Sequence, residues 1–232
     1  MHGLFITGTC TGVGKTYFSV LLAKALTKRG IVVVPRKPVE SGCDVVDGEL
    51  MPADADSLMH AADYQGELTD VCRYRFQPPI SPARAARLTN ASLSIDDLVS
   101  VCTAGSKNGF TLVEGAGGFY SPLTEDGLNA DLAAALKLPI VLVAENKLGA
   151  LNQVLLNVEA IKAHRLTLIA VVLNELDNDQ HELMDNLNDL KERLKCGVFK
   201  MDHDSRGLDE ELVNLAVQSG ARHRDKKSRQ RA

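Results

Sequence analysis

The chain has 232 residues, 45% hydrophobic, 24% charged and 4% aromatic with no Trp, enough for one large α/β domain with a full core and too few for two. The formal net charge of −4 hides an asymmetry: residues 222–231 hold six Lys/Arg against one Asp, so the rest carries 20 basic and 29 acidic residues, net −9. An acidic body poor in aromatics excludes duplex-DNA and single-strand stacking surfaces, and five cysteines without a C-x-x-C pair form neither a disulfide framework nor a zinc site.

No apolar run reaches membrane-spanning length and no cleavable leader opens the chain. The composition therefore predicts a cytoplasmic protein with no nucleic-acid or membrane partner. It also predicts one domain over residues 1–220, followed by a solvated, disordered basic tail over 221–232.

The first element is a short apolar run, Leu4-Phe5-Ile6, which leads into GTCTGVGKT at residues 8–16 and then a helical pattern. Strand, glycine-rich loop and helix in that order make a phosphate cradle of backbone N–H groups. Lys15 reaches the terminal phosphates and the Thr16 hydroxyl sits on Mg²⁺. Gly12, Val13, Gly14, Lys15, Thr16 and Tyr17 are the candidate nucleotide-binding stretch. Five residues separate Gly8 from Gly14, where the common pattern has four.

Residues 13–29 place Phe18, Leu21, Leu22, Ala25 and Leu26 on one helical face, and Gly30 ends the pattern. The β-branched run 31–34 predicts a buried strand, delivering Lys37 and Ser41 at its C-terminal end. A short helix over 54–62 follows. Pro78-Pro79 and Ser81-Pro82 predict a loop and then a helix from Pro82. Ser94 and Asp97 form a capping box opening a helix that ends near Gly105. Residues 110–113 read as a strand, followed at once by Glu114 and a glycine-rich turn. Helix 129–137, strand 139–144, helix 149–164 and strand 168–173 come next, with Asn174 at the last strand's end; helices near 179–194 and 208–218 complete the body. Strands alternating with helices call for a single-domain P-loop NTPase-like α/β fold, a parallel sheet with helices on both faces.

Four elements end in polar residues at one sheet edge. Lys37 offers a mobile point charge to an anion. Glu114, directly after a strand in a chain with a phosphate loop, holds the position of a carboxylate for Mg²⁺. The Asn174 amide presents a donor and an acceptor to a purine edge. Asp54 and Asp56 each fit as a second carboxylate for the metal.

The loop GTCTGVGKT, the segment KPVESG at 37–42, VEGAGG at 113–118 and KLGALNQ at 147–153, in this order and at these distances, resemble the dethiobiotin synthetase family across residues 4–175. The five-residue glycine spacing is a family feature. The resemblance implies an ATP-dependent ligase that joins CO₂ to 7,8-diaminononanoate and closes a ureido ring, with ATP and Mg²⁺, as a homodimer with active sites at the subunit interface. It assigns Thr11, Lys15 and Thr16 to the phosphates, and Thr16, Asp54 and Glu114 to Mg²⁺, Asp54 being preferred over Asp56 by the family's Asp-Ala-x-x-Leu form. Lys37 would stabilise the carbamate and the transferring phosphoryl group, its charge needed only where the two anions meet, so that Lys37→Ala abolishes turnover and leaves the fold intact. Ser41 would bind substrate, Gly117 would flank the nucleotide, and Asn174 would read adenine. Gly149, Ala150, Leu151 and Asn152 would offer N–H groups to the substrate carboxylate across the interface. Cys10 stands where the family usually has Asp, Ala83 where a histidine is common, and the match fades beyond residue 190. A ParA-like or MinD-like partitioning ATPase calls for a second lysine early in the loop, at Cys10 or nearby, and none is present. A related amidoligase of the corrin-diamide type calls for an attached glutaminase domain or partner, and none fits in this chain.

Overall fold

The computed structural model describes residues 1–107, 109–176, 183–202 and 204–228. In chain order, β1 (Gly3–Gly8) passes through the glycine loop into α1 (Lys15–Lys28) and on to β2 (Val33–Arg36). A small excursion follows: β3 (Val39–Ser41), the hairpin of β4 (Asp44–Val46) and β5 (Glu49–Met51), α2 (Ala53–Ala61), α3 (Leu68–Val71) and β6 (Tyr74–Phe76). Next come α4 (Pro82–Leu88), α5 (Ile95–Thr103), β7 (Phe110–Gly118), α6 (Asn129–Leu136), β8 (Ile140–Glu145), α7 (Ala150–Ala163) and β9 (Leu168–Asn174). The chain closes with α8 (Asn186–Arg193), β10 (Gly197–Met201) and α9 (Glu210–Ser228). Among the described residues no helix is long and apolar enough to cross a membrane.

Six strands form one parallel sheet in the order β10-β9-β8-β1-β7-β2. Alternation along each strand divides its side chains between two cores. Leu4, Ile6, Leu112, Val141, Val143 and Val172 pack with Phe18, Leu22 and Leu26 of α1 and Leu212 of α9. On the opposite face, Phe5 and Val113 pack with Leu98, Leu132 and Ile161, and Leu142 and Val171 pack with Val154, Val158 and Leu190. Helices thus cover both faces, as the alternating pattern predicts. All five cysteines are free thiols.

Five expectations change. The strand predicted at 31–34 begins at Val33, because Gly30 takes φ +73° and Ile31 N–H bonds back to the Leu26 carbonyl, spending the first β-branched residues on the helix exit. Val32 is left 63% exposed. Glu114 lies inside a longer strand, opposite Ile6, rather than after it. Residues 197–201 add a strand that the sequence pattern does not show. Of the helix expected near 179–194, the described part runs over Asn186–Arg193, and residues 179–182 lie outside the described residues. Helix α9 carries through Ser228, into the basic run, and residues 229–232 also lie outside.

Strand β2 is at the sheet edge, where Pro35 forfeits no ladder bond. Its last residue, Arg36, is 1% exposed. The guanidinium donates to the carbonyls of Val101 (3.0 Å), Ala104 (2.6 Å) and Pro35 (2.7 Å) and lies 5.5 Å from the Tyr64 ring centroid. A cation on the closing carbonyls of α5 suits the helix dipole and locks that helix to the strand immediately before Lys37. Arg36→Met should cost about 3 kcal/mol, since buried carbonyls lose a charged donor; urea unfolding showing no measurable loss would contradict this.

Candidate active site

The glycine loop is shaped from beneath. Gly14, the N-cap of α1, has φ +89°, and a Cβ there would lie 2.1 Å from the Asn174 amide nitrogen. That nitrogen donates to the Val13 carbonyl (3.1 Å), tying the end of β9 to the loop. Lys15 is 6% exposed and its Nζ donates to the Cys10 carbonyl (3.0 Å), folding the charge over its own loop. Burial is the largest influence on this ammonium and lowers its proton affinity below that of an ordinary lysine; Lys37 adds to the effect, while Glu114 and Asp54 oppose it.

Beside the loop, charges interlock. Lys37 Nζ donates to Asp54 Oδ2 (2.6 Å) and to Glu114 Oε1 (2.7 Å), and Thr16 Oγ1 donates to the same Glu114 oxygen (2.7 Å). The Lys37 and Glu114 side chains are buried, while that of Asp54 is half exposed. Burial works against the Lys37 charge, but Glu114, Asp54 and Glu40 outweigh it and raise its proton affinity. Burial likewise opposes ionisation of Asp54, yet Lys37, its hydrogen bond, Thr16 and Lys15 hold the carboxyl below its ordinary value. A depressed carboxyl stabilises the fold above its unfolded value of 3.8 and loses that contribution as pH falls through the folded value. A raised ammonium stabilises below 10.5 and loses that contribution only as pH rises through its higher folded value. The pair is therefore fully charged throughout the neutral range.

The hydroxyl of Thr16 and the carboxylates of Asp54 and Glu114 form a set of hard oxygen donors. Glu114 Oε2, fully buried, has no hydrogen-bond partner among the described residues. Among the described residues no group of three or more His, Cys, Asp or Glu is placed to hold a metal ion by itself; the donors present are one hydroxyl and two carboxylates. That suits Mg²⁺, which keeps waters and takes phosphate oxygens. The residues present fit the ion.

Thr16 and Asp54 border a cavity of about 490 Å³. Thr11, Gly12, Gly14, Lys15 and Thr16 line one side, Lys37, Ser41 and Asp54 another, with Gly117 and Ser121 beyond. Pro79, Ile80 and Pro82 supply an apolar wall. Val13 turns into the core, and Glu114 lies beneath the cavity. Tyr17, 39% exposed, stands away from it and donates its hydroxyl to the Ser205 carbonyl. Asn174 is 2% exposed and its amide nitrogen donates to the loop, so the structure uses it as a tie. Gly149, Ala150, Leu151 and Asn152 form the start of α7, away from this cavity, beside the 93% exposed Leu148.

Sequence reasoning missed Glu40, Ser81 and Ser121, which also line the cavity. Ser121 Oγ accepts from Gly118 N–H (2.8 Å), bracing the glycine turn. Glu40, inside the quoted KPVESG segment, is 6% exposed and accepts from two backbone N–H groups of α2.

The chain matches the AAA domain family over residues 2–202. It is 43% identical over 176 residues to the ATP-dependent dethiobiotin synthetase BioD of Vesicomyosocius okutanii subsp. Calyptogena okutanii (strain HA), covering 76% of this chain and 80% of the relative. It is 37% identical over 205 residues to that of Ruthia magnifica subsp. Calyptogena magnifica, covering 88% and 93%. The chain belongs to the dethiobiotin synthetase family. A crystal structure of a ParA family ATPase from Chlorobium tepidum TLS is similar at a TM-score of 0.53 and 14% identity over 94% of this chain and 89% of that one. This likeness shows a shared fold alone, and the partitioning-ATPase alternative gains nothing further from it.

Two departures from the dethiobiotin synthetase pattern now have places. Cys10 is exposed, and its backbone carbonyl rather than its side chain receives Lys15. Ala83 is 4% exposed, packed within the first turn of α4. Lys37 departs from expectation differently: it neutralises a buried carboxylate in the protein alone, so its charge is needed before any anion arrives. Lys37→Met should therefore lower stability by about 3–5 kcal/mol in urea unfolding at pH 7, because an uncompensated buried charge remains. Wild-type stability in that variant would disprove the structural role.

Proposed function

We propose that this chain catalyses the ATP-dependent carboxylation of 7,8-diaminononanoate with CO₂ and the closure of the ureido ring to give dethiobiotin. The observation that carries this reading is the convergence of Lys15 and Lys37 on one cavity between a phosphate loop and an apolar wall. A carbamate and a triphosphate are both anions, and bringing them together takes cations and oriented dipoles.

In the proposed course, one substrate amine adds to CO₂ and releases a proton, giving a carbamate. A carbamate oxygen takes the γ-phosphoryl group of ATP, releasing ADP. The second amine then attacks the carbonyl carbon, phosphate leaves with the C–O bond electrons, and loss of the amine proton completes the ring. Thr11, Lys15 and the N–H groups of residues 12–17 bind the phosphates. Lys37 stabilises the carbamate and the oxygens of the group in transfer, and Ser41 orients the substrate amines beside it. Gly117 lets the glycine turn approach the nucleotide closely. The Asn174 carbonyl oxygen, the half of its amide not tied to the loop, serves the adenine amino group. Thr16, Asp54 and Glu114 would hold Mg²⁺, which when bound offsets phosphate charge.

The proposal extends to a homodimer. The start of α7, at Gly149, Ala150, Leu151 and Asn152, presents helix N-terminal N–H groups suited to a carboxylate, that of Ala150 being held by the Lys147 carbonyl (3.0 Å), and it lies off its own chain's cavity. Leu148 and Leu156, 93% and 63% exposed, flank that turn as surface for a second copy to cover. The small-molecule substrates and five free thiols suit the cytoplasm.

Incubation with labelled bicarbonate should yield an acid-stable labelled product only when 7,8-diaminononanoate, ATP and Mg²⁺ are all present. Folded protein that forms none would sink the enzymatic reading.

A further inference from the structure

Glu40 takes no part in the reaction just described, yet its buried carboxylate carries out a specific task. The N–H groups of a helix's first turn have no partner within the helix. Helix α2 begins after Pro52, and no side-chain bond from that residue caps it. The missing acceptor comes from β3: Glu40 Oε1 accepts from Asp54 N–H and Oε2 from Ala55 N–H, each at 3.0 Å. Both oxygens are thus engaged by backbone donors, which fits a clamp better than a proton acceptor for substrate. Asp54 is held twice, by Glu40 at its backbone and by Lys37 at its carboxylate. Both holds come from one short stretch of chain, so the first turn of α2 and the Lys37 ammonium are set against each other.

We propose that Glu40 is a positioning residue for the metal site, fixing through the first turn of α2 where the Asp54 carboxylate stands. This rests on Asp54 being a metal ligand, as proposed above. Glu40 acts through Asp54 and touches no reacting atom.

Glu40→Gln keeps the size of the side chain but turns an NH₂ group toward a backbone N–H. Binding of Mn²⁺ together with a non-hydrolysable ATP analogue, read from the Mn²⁺ electron paramagnetic resonance signal, should weaken about tenfold in this variant, the usual effect of losing a partner behind a ligand. In an Asp54→Asn background the same substitution should add nothing, because both changes act through one carboxylate. Unchanged Mn²⁺ affinity in Glu40→Gln, or full additivity with Asp54→Asn, overturns the proposal and leaves the metal reading standing. Unchanged affinity in Asp54→Asn alone overturns the metal reading and the proposal with it. Hydrogen exchange of the unaltered protein gives a measurement that depends on no variant: the amides of Asp54 and Ala55 should be protected, and exchange at the rate of free first-turn amides refutes the cap.

Discussion

One ammonium between two carboxylates governs the arrangement of this molecule. Removing such ions from water costs several kcal/mol each, and the cost is recovered only with close partners and good geometry. Lys37 meets the condition with partners 17 and 77 residues away in the chain, on α2 and β7. Thr16, the second residue of α1, shares the same Glu114 oxygen. Four elements are therefore brought into register at one point, and the cavity wall is built around it. Arg36, one residue earlier, anchors the other side of β2 to the carbonyls of α5, so the lysine projects from a strand end fixed on both sides.

What the sequence made legible was contiguous or periodic. The phosphate loop shows because its chemistry lies in nine adjacent residues, and five strands of the sheet show because they are apolar runs. Strands β3 to β6 have three residues each, too few to carry a period. Gly197–Met201 alternates with Lys200 at its exposed edge and follows a charged helix, which conceals it. The start of β2 was misplaced because the exit geometry of α1 overrode β-branched propensity. At the site, the identity of Lys37 and Glu114 was readable; their mutual neutralisation was not, since pairing across 77 residues is a tertiary fact. Glu40 escaped for the same reason, although a helix beginning after proline without a capping side chain is a local hint that an acceptor comes from elsewhere.

The two lysines of the cavity are not equivalent. Lys15 is weakened as a base-held cation chiefly by burial, with a carbonyl as its hydrogen-bond partner, whereas Lys37 is reinforced by two carboxylates. The first has much to gain from a polyanion settling over the loop. The second arrives already neutralised, and any anion it serves competes with carboxylates the protein has placed there. This contrast comes from the neighbours, since the side chains are identical.

The bond from Asn174 to the Val13 carbonyl spans 161 residues. A phosphate loop is commonly regarded as a self-contained motif, yet here its curvature is supported by the end of a strand made much later. During synthesis the amino-terminal segment emerges with every motif residue in place and no support beneath Gly14. In the folded protein the shape of the cradle therefore depends on β9 standing beside β8, and belongs to the sheet as much as to the motif.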